Sequence, residues 1–295
     1  MLSPFYDEAG ITLYLGDARV IAPMLATELP LWGEGPATGR VHVLCDSPYT
    51  PHTHDKSRAG ARGGPKGAPL HNGTGLVSKA SISRSVDFGF APLSSALRHT
   101  LADEAARLTT AWSLFFTDAE GVDDWRRALA EAQLENVRVG AWLKLGSTPQ
   151  FTGDRPGVGF EAIVIAHATA HGKPLKKSWN GGGKVAIWEH QIVTEHGGRD
   201  LGEARVHETQ KPEALITALL EDFTDPGDMV IDFTAGSGTT LVCARRLGRR
   251  AVGIEQREKD CENAVRRLRG ELAGTGYTPA MKRGQQGLFN QETGS

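Results

Sequence analysis

The chain has 295 residues, 39% of them hydrophobic and 23% charged, with a formal net charge of -2, which suits a soluble globular protein of one large α/β domain or two small ones. No window approaches the roughly 18 consecutive apolar residues that a membrane span needs, and the first residues, MLSPFYDEAG, lack the basic-then-apolar plan of a signal peptide. No membrane partner is therefore expected, and a cytoplasmic location is. Cys45, Cys243 and Cys261 form no C-x-x-C pair, so neither a disulfide framework nor a metal site is expected.

In chain order, short apolar runs predict buried strands at 11–16, 41–45, 111–116, 139–145, 160–166, 229–233 and 251–255. Several are continuous rather than alternating, as in strands covered on both faces. Helical spacing fills 92–108, 121–134, 212–223, 239–248 and 257–272. Together these predict an α/β fold with a mostly parallel sheet flanked by helices. A single domain is expected over 1–273. The run from 50 to 90 is Gly- and Ser-rich; with Lys56, Arg58 and Arg62 near its start, it reads as a mobile basic loop. A second basic stretch, part of an insertion at about 167–206, holds Lys173, Lys176, Lys177 and Lys184 around Trp179 and Trp188. For each stretch alone, a solvated surface loop is an equal reading. Residues 274–295 lose periodicity and are expected to form a flexible tail.

The strand at 229–233 ends near Asp232 and passes through Thr234, Ala235, Gly236, Ser237 and Gly238 into a helix that opens with Thr239 and Thr240. Glycines there let the backbone approach a ligand, and a helix N-terminus offers free N–H groups. The next strand ends in Glu255, placed to accept both hydroxyls of a ribose. This order suits an adenosine-containing ligand, although a dinucleotide would satisfy it as well. Earlier, the strand at 41–45 runs straight into Asp46-Ser47-Pro48-Tyr49. A carboxylate, a carbonyl projected by proline and an aromatic face could hold an aromatic amine and localise its lone pair. Alone, such a tetrapeptide is more often a plain turn.

These residues resemble the permuted DNA amino-methyltransferase family, in which the catalytic motif precedes the cofactor motif. Asp46-Ser47-Pro48-Tyr49 is similar to its D-P-P-Y motif with Ser47 at the first proline, and 207–215 (HETQKPEAL) to its H-P-T-Q-K-P-x-x-L segment. Residues 232–240 (DFTAGSGTT) resemble D-P-F-x-G-S-G-T-T, and Leu247-Gly248-Arg249 through Gly253-Ile254-Glu255 follow its L-G-R and G-I-E continuation. The resemblance implies a Rossmann-like, seven-stranded sheet binding S-adenosyl-L-methionine. The methionine end would lie near Thr209, Lys211, Pro212 and the Gly236–Thr240 turn, with Glu255 on the ribose and Asp17 near the adenine. It further implies double-stranded DNA as partner, with a base extruded onto Tyr49 and held by Asp46. Asp-first motifs in the family go with adenine N6 and Ser-first motifs with cytosine N4; Asp46 points to adenine.

DNA contacts would come from the two basic stretches, Trp179 and Trp188 included. A homodimer is a further candidate assembly. Gln285-Gln286-Gly287-Leu288-Phe289 resembles a peptide that docks to bacterial sliding clamps, although in a polar tail so short a match arises more often by chance. The rivals are a nicotinamide-dependent dehydrogenase, which leaves D-S-P-Y and T-Q-K-P without a role, a methyltransferase acting on RNA or a protein amide, and a non-catalytic DNA-binding relative.

Overall fold

A computed structural model describes residues 2–28, 39–49, 92–147, 156–193 and 210–272. Within them a nine-stranded sheet has the order β1-β2-β11-β10-β3-β4-β6-β5-β9. The strands are β1 (Tyr6–Glu8), β2 (Ile11–Leu15), β3 (Val41–Cys45), β4 (Trp112–Thr117), β5 (Glu135–Leu145), β6 (Phe160–His167), β9 (Ile187–Gln191), β10 (Met229–Asp232) and β11 (Arg250–Glu255). The small pair β7 (Thr169–Ala170) and β8 (Lys173–Pro174) forms a separate ladder. The helices are α1 (Ala18–Glu28), α2 (Ser95–Leu108), α3 (Val122–Glu131), α4 (Glu213–Phe223), α5 (Thr239–Arg246) and α6 (Glu258–Leu272).

All seven expected strands and all five expected helices are present, with small shifts at their ends. The main sheet nonetheless has nine strands rather than seven, because each edge carries one strand too short or too polar for an apolar-run search. At one edge β1 turns back on β2 through Ala9 and Gly10, both at positive φ. At the other, β9 (IWEHQ) buries Trp188 but exposes most of its length, as an edge strand does. Helix α1 is also additional; it contains Pro23, which an interior helical pattern normally excludes.

Side-chain alternation divides the core in two. Val230 of β10 and Leu13 of β2 pack with Leu215, Leu219, Leu241 and Leu268 of α4–α6. Met229 and Ile231, the neighbours of Val230, pack on the opposite face with Ala22, Leu101 and Leu129 of α1–α3. Because β2, β11, β10, β3 and β4 are mutually parallel, their carboxyl ends share one edge. The chain leaves β10 through α5 toward β11 and leaves β3 through α2 toward β4, in opposite directions across the sheet. The crevice between β3 and β10 is thus a topological switch point, where open α/β sheets place ligands. Strand β6 runs antiparallel to β4 with Ala162 opposite Thr117, so its first residues reach the same edge.

Candidate active site

An open cleft lies at this crevice, lined among others by Asp17, Asp46, Ser47, Pro48, Tyr49, Lys211, Asp232, Gly236, Thr240 and Glu255. Residues as far apart in the chain as Asp17 and Glu255 meet there because the carboxyl ends of β2, β3, β10 and β11 converge.

The glycine turn forms one wall. Gly236 and Gly238 adopt φ of 53° and 77°, a region costly for residues bearing a Cβ. A Cβ on Gly238 would also stand 2.7 Å from that of Ala264, so this glycine serves the packing of α6 rather than the cleft surface. The Ser237 carbonyl accepts from Arg267 at 2.8 Å, and Arg267 is itself held by Glu213 at 2.7 Å. The turn is therefore anchored from behind by α6 and α4. Glu255 accepts from the Gly236 N–H at 2.9 Å and the Arg257 N–H at 2.8 Å. Each carboxylate oxygen has a second lone pair, so the group that shapes the turn keeps acceptor capacity toward the cleft; burial raises its pKa. Asp17, after β2, lines the cleft and is paired with Arg19. Thr234 and Thr239 line it also, whereas Pro212 caps α4 from a buried position beside the wall.

Burial pushes Asp232 up to about 7, against hydrogen bonds from Thr240 and the Thr234 N–H and with Asp46 and Glu255 adding to the rise. The folded protein thus holds this proton above the ordinary aspartate range. Its contribution opposes folding fully above about pH 7, and that opposition fades as pH falls toward the unfolded value of 3.8. Asp232→Asn is expected to raise the melting temperature at pH 8, with a gain that shrinks between pH 7 and pH 4. Thermal melts across that range check this, and a gain independent of pH would refute it.

The second wall is the Asp46–Tyr49 turn. Cys45 at the end of β3 meets Thr234 of the glycine turn through Sγ and Oγ1 at 3.3 Å, which joins the two motifs. The Ser47 hydroxyl is buried with no hydrogen-bond partner among the described residues. Lys211 Nζ donates to Asp46 Oδ1 at 2.6 Å and to the Tyr49 hydroxyl at 3.1 Å. Its ammonium also lies 5.3 Å from the Tyr49 ring centre and 5.1 Å from that of Phe116, within cation–π range. Burial opposes its charge, but Asp46 and Glu161 outweigh that and raise its pKa. Lys211 thus contacts the Asp46 turn while lining the same cleft as the glycine turn.

Sequence reasoning missed Glu161 and Lys144, which stand behind Lys211, and the ring of Trp142 beside it. No motif contains them, and Glu161 lies at the start of an antiparallel strand rather than at the carboxyl end of a parallel one. It also assigned Trp188 to DNA. Trp188 is instead core: its indole N–H donates to Asp222 at 3.0 Å, and Lys184 pairs with the same carboxylate at 2.7 Å. Trp179 packs on Phe223 with ring centres 4.8 Å apart and donates to the Gly182 carbonyl. Large aromatics in a Gly-rich stretch bind that stretch to α4. Lys177 is paired with Glu135 at 2.7 Å, while Lys173 and Lys176 are exposed. Lys56, Arg58, Arg62, Thr209, residues 194–206 of the insertion, the tail and its Gln285–Phe289 peptide lie outside the described residues. Among the described residues no helix is long and apolar enough to cross a membrane.

Residues 142–266 match the family model N6_N4_Mtase, described as DNA methylase. Over that segment the chain is similar to DNA methylases. The matched segment covers Glu161, Lys211, the glycine turn and Glu255, and begins after Asp46–Tyr49. Over 135 residues, 43% of the chain, it is 30% identical to the type II methyltransferase M.HinfI of Haemophilus influenzae; over 102 residues it is 37% identical to the type II methyltransferase M2.DpnII of Streptococcus pneumoniae. These alignments span 38% and 32% of the two relatives' lengths. The fold is similar to that of the M1.HpyAVI-SAM complex, with a TM-score of 0.58 and 19% identity over 88% of this chain and 98% of that one. It is also similar to the PvuII DNA methyltransferase, cytosine-N4-specific, with a TM-score of 0.57 and 15% identity over 90% of this chain and 89% of that one. The Rossmann-like α/β architecture is common to all three.

Proposed function

We propose that this chain transfers a methyl group from S-adenosyl-L-methionine to the exocyclic N6 of adenine in double-stranded DNA, with the target base extruded into the cleft. The observation that carries the reading is the convergence of Asp46, Ser47, Pro48 and Tyr49 with the Gly236–Thr240 turn and Glu255 around one cleft. The lining suits the cofactor: the glycines admit close backbone approach, Glu255 retains acceptor capacity for ribose hydroxyls, and Asp232 and Asp46 offer carboxylates toward a cationic ligand. When bound, the cofactor supplies an electrophilic methyl group on a sulfonium centre.

The protein's own work is positioning. Asp46 and the Pro48 carbonyl accept the two N–H groups of the amine and localise its lone pair, while Tyr49 offers a stacking face to the extruded base. The amine so presented would take up the methyl group that the cofactor supplies when held by Glu255 and the glycine turn. The methylated amine then loses one proton to Asp46, from which solvent takes it. Asp46 as first residue of the tetrapeptide supports adenine over cytosine.

Incubation with methyl-labelled cofactor and mixed-sequence duplex DNA, followed by nucleoside digestion and mass analysis, tests the reading. N6-methyladenine is expected; N4-methylcytosine would keep the chemistry and correct the base; no labelled nucleoside despite cofactor binding would sink the reading. Glu255→Ala is expected to weaken cofactor binding by roughly tenfold or more through lost charge-assisted hydrogen bonds. Calorimetric titration with the cofactor checks it, and unchanged affinity would remove Glu255 from the ribose.

A further inference from the structure

Four side chains of alternating charge run from the cleft outward. Asp46 Oδ1 meets Lys211 Nζ at 2.6 Å, Lys211 Nζ meets Glu161 Oε2 at 3.2 Å, and Glu161 Oε1 is paired with Lys144. The Lys211 and Glu161 side chains are only 6% and 8% exposed, and Lys144 is 20% exposed. The Tyr49 hydroxyl, which accepts from Lys211, also faces the Glu161 carboxylate. Burial works to raise the Glu161 pKa, and Lys211 and Lys144 reverse it, so this carboxylate titrates below its ordinary range. Buried charge is costly, and apolar residues of similar volume often serve stability as well or better. A paired, buried carboxylate beside a cleft is therefore more plainly accounted for by the site than by the core.

We infer that Glu161 is a positioning residue for methyl transfer, holding the Lys211 ammonium and the Tyr49 hydroxyl so that Asp46 and the Tyr49 ring meet the target base in working orientation. This rests on the methyltransferase reading above. The Lys211 ammonium donates to Asp46 and Tyr49 and has Glu161 Oε2 as an ion-pair partner at 3.2 Å, an oxygen that is buried and makes no hydrogen bond among the described residues, so its charge is balanced there by Lys211 alone. Without the Glu161 charge, the ammonium's field falls on Asp46 alone and competes with the base amine for that carboxylate. The Tyr49 hydroxyl loses a partner at the same time, and the ring loses its tether. Lys144 sets the outer end by drawing one Glu161 oxygen away from Lys211, so that the other points inward.

The test is Glu161→Gln in the full-length protein. Its kcat is expected to fall on the order of 10²-fold, the scale of a misplaced reacting group, while the KM for the cofactor stays within about twofold. A readout independent of activity is the Lys211 ammonium signal in lysine side-chain nitrogen NMR, assigned by its loss in Lys211→Met. It is expected to shift or broaden in Glu161→Gln as the ammonium loses a charged partner. Wild-type kcat, or an unaltered Lys211 signal, overturns the inference. Should Glu161→Gln fail to fold, Lys144→Gln serves, with a smaller fall in kcat and a shifted Lys211 signal expected and no change in either overturning it. A wild-type protein that methylates no nucleic acid fails the methyltransferase reading instead, and the Lys211 signal then decides on its own whether Glu161 holds that ammonium.

Discussion

Asp46→Ala is expected to abolish methyl transfer, lowering kcat about 10³-fold, while cofactor affinity stays nearly intact. The carboxylate is the acceptor best placed to draw on the amine's lone pair, and removal of one preorganised polar group at a reacting centre costs about 10²- to 10³-fold. Loss of the proton acceptor adds to this. The fold should persist, because Lys211 keeps Glu161 as counter-charge at 3.2 Å. Cofactor contacts should persist too, since the glycine turn is braced by Arg267 and Glu213 rather than by Asp46. Single-turnover transfer with labelled cofactor, beside calorimetric cofactor binding, reads the two effects separately. Lost affinity with retained turnover would reverse the assigned roles.

Lys211→Met is expected to damage stability and activity together. The substitution keeps the stem but removes the ammonium that Asp46 and Glu161 share. Breaking a buried ion pair by deleting one partner costs about 3–5 kcal/mol, because the remaining charge is left uncompensated. For a protein of this size that corresponds to a fall in melting temperature of roughly 10 °C. The deficit has a pH signature. With the cation gone the two carboxylates repel, one of them takes up a proton in the folded state, and its folded pKa rises above the unfolded value. The variant's deficit should then shrink as pH falls through the carboxylate range. Thermal melts of both proteins between pH 4 and pH 8 measure it; a pH-independent deficit below about 1 kcal/mol would show that the ammonium contributes little.

Much of this architecture was legible because it is local. The run MVID is apolar without alternation, as a strand covered on both faces must be, and the turn after it needs glycine for a backbone reason that stands in the letters themselves. Glu255 was legible for the same reason, as an acid at the end of an apolar run. Trp188 was misassigned because a tryptophan among lysines and glycines looks exposed; what buries it is Asp222 on a distant helix together with pairing to β5. Edge strand β1 escaped notice since three residues, YDE, carry no period.

The sequence by itself determined the helix-flanked sheet, the glycine turn, the acid that ends the following strand and the Asp46–Tyr49 tetrapeptide, because each depends on residue types at fixed short spacing. Only the tertiary structure decided that Lys211 faces Asp46 and Tyr49, that Glu161 and Lys144 complete their charge balance, and that the tryptophans of the basic stretch are packing residues. Those outcomes depend on contacts between positions far apart in the chain, and the side-chain period within any one element carries no record of which distant charge lies opposite.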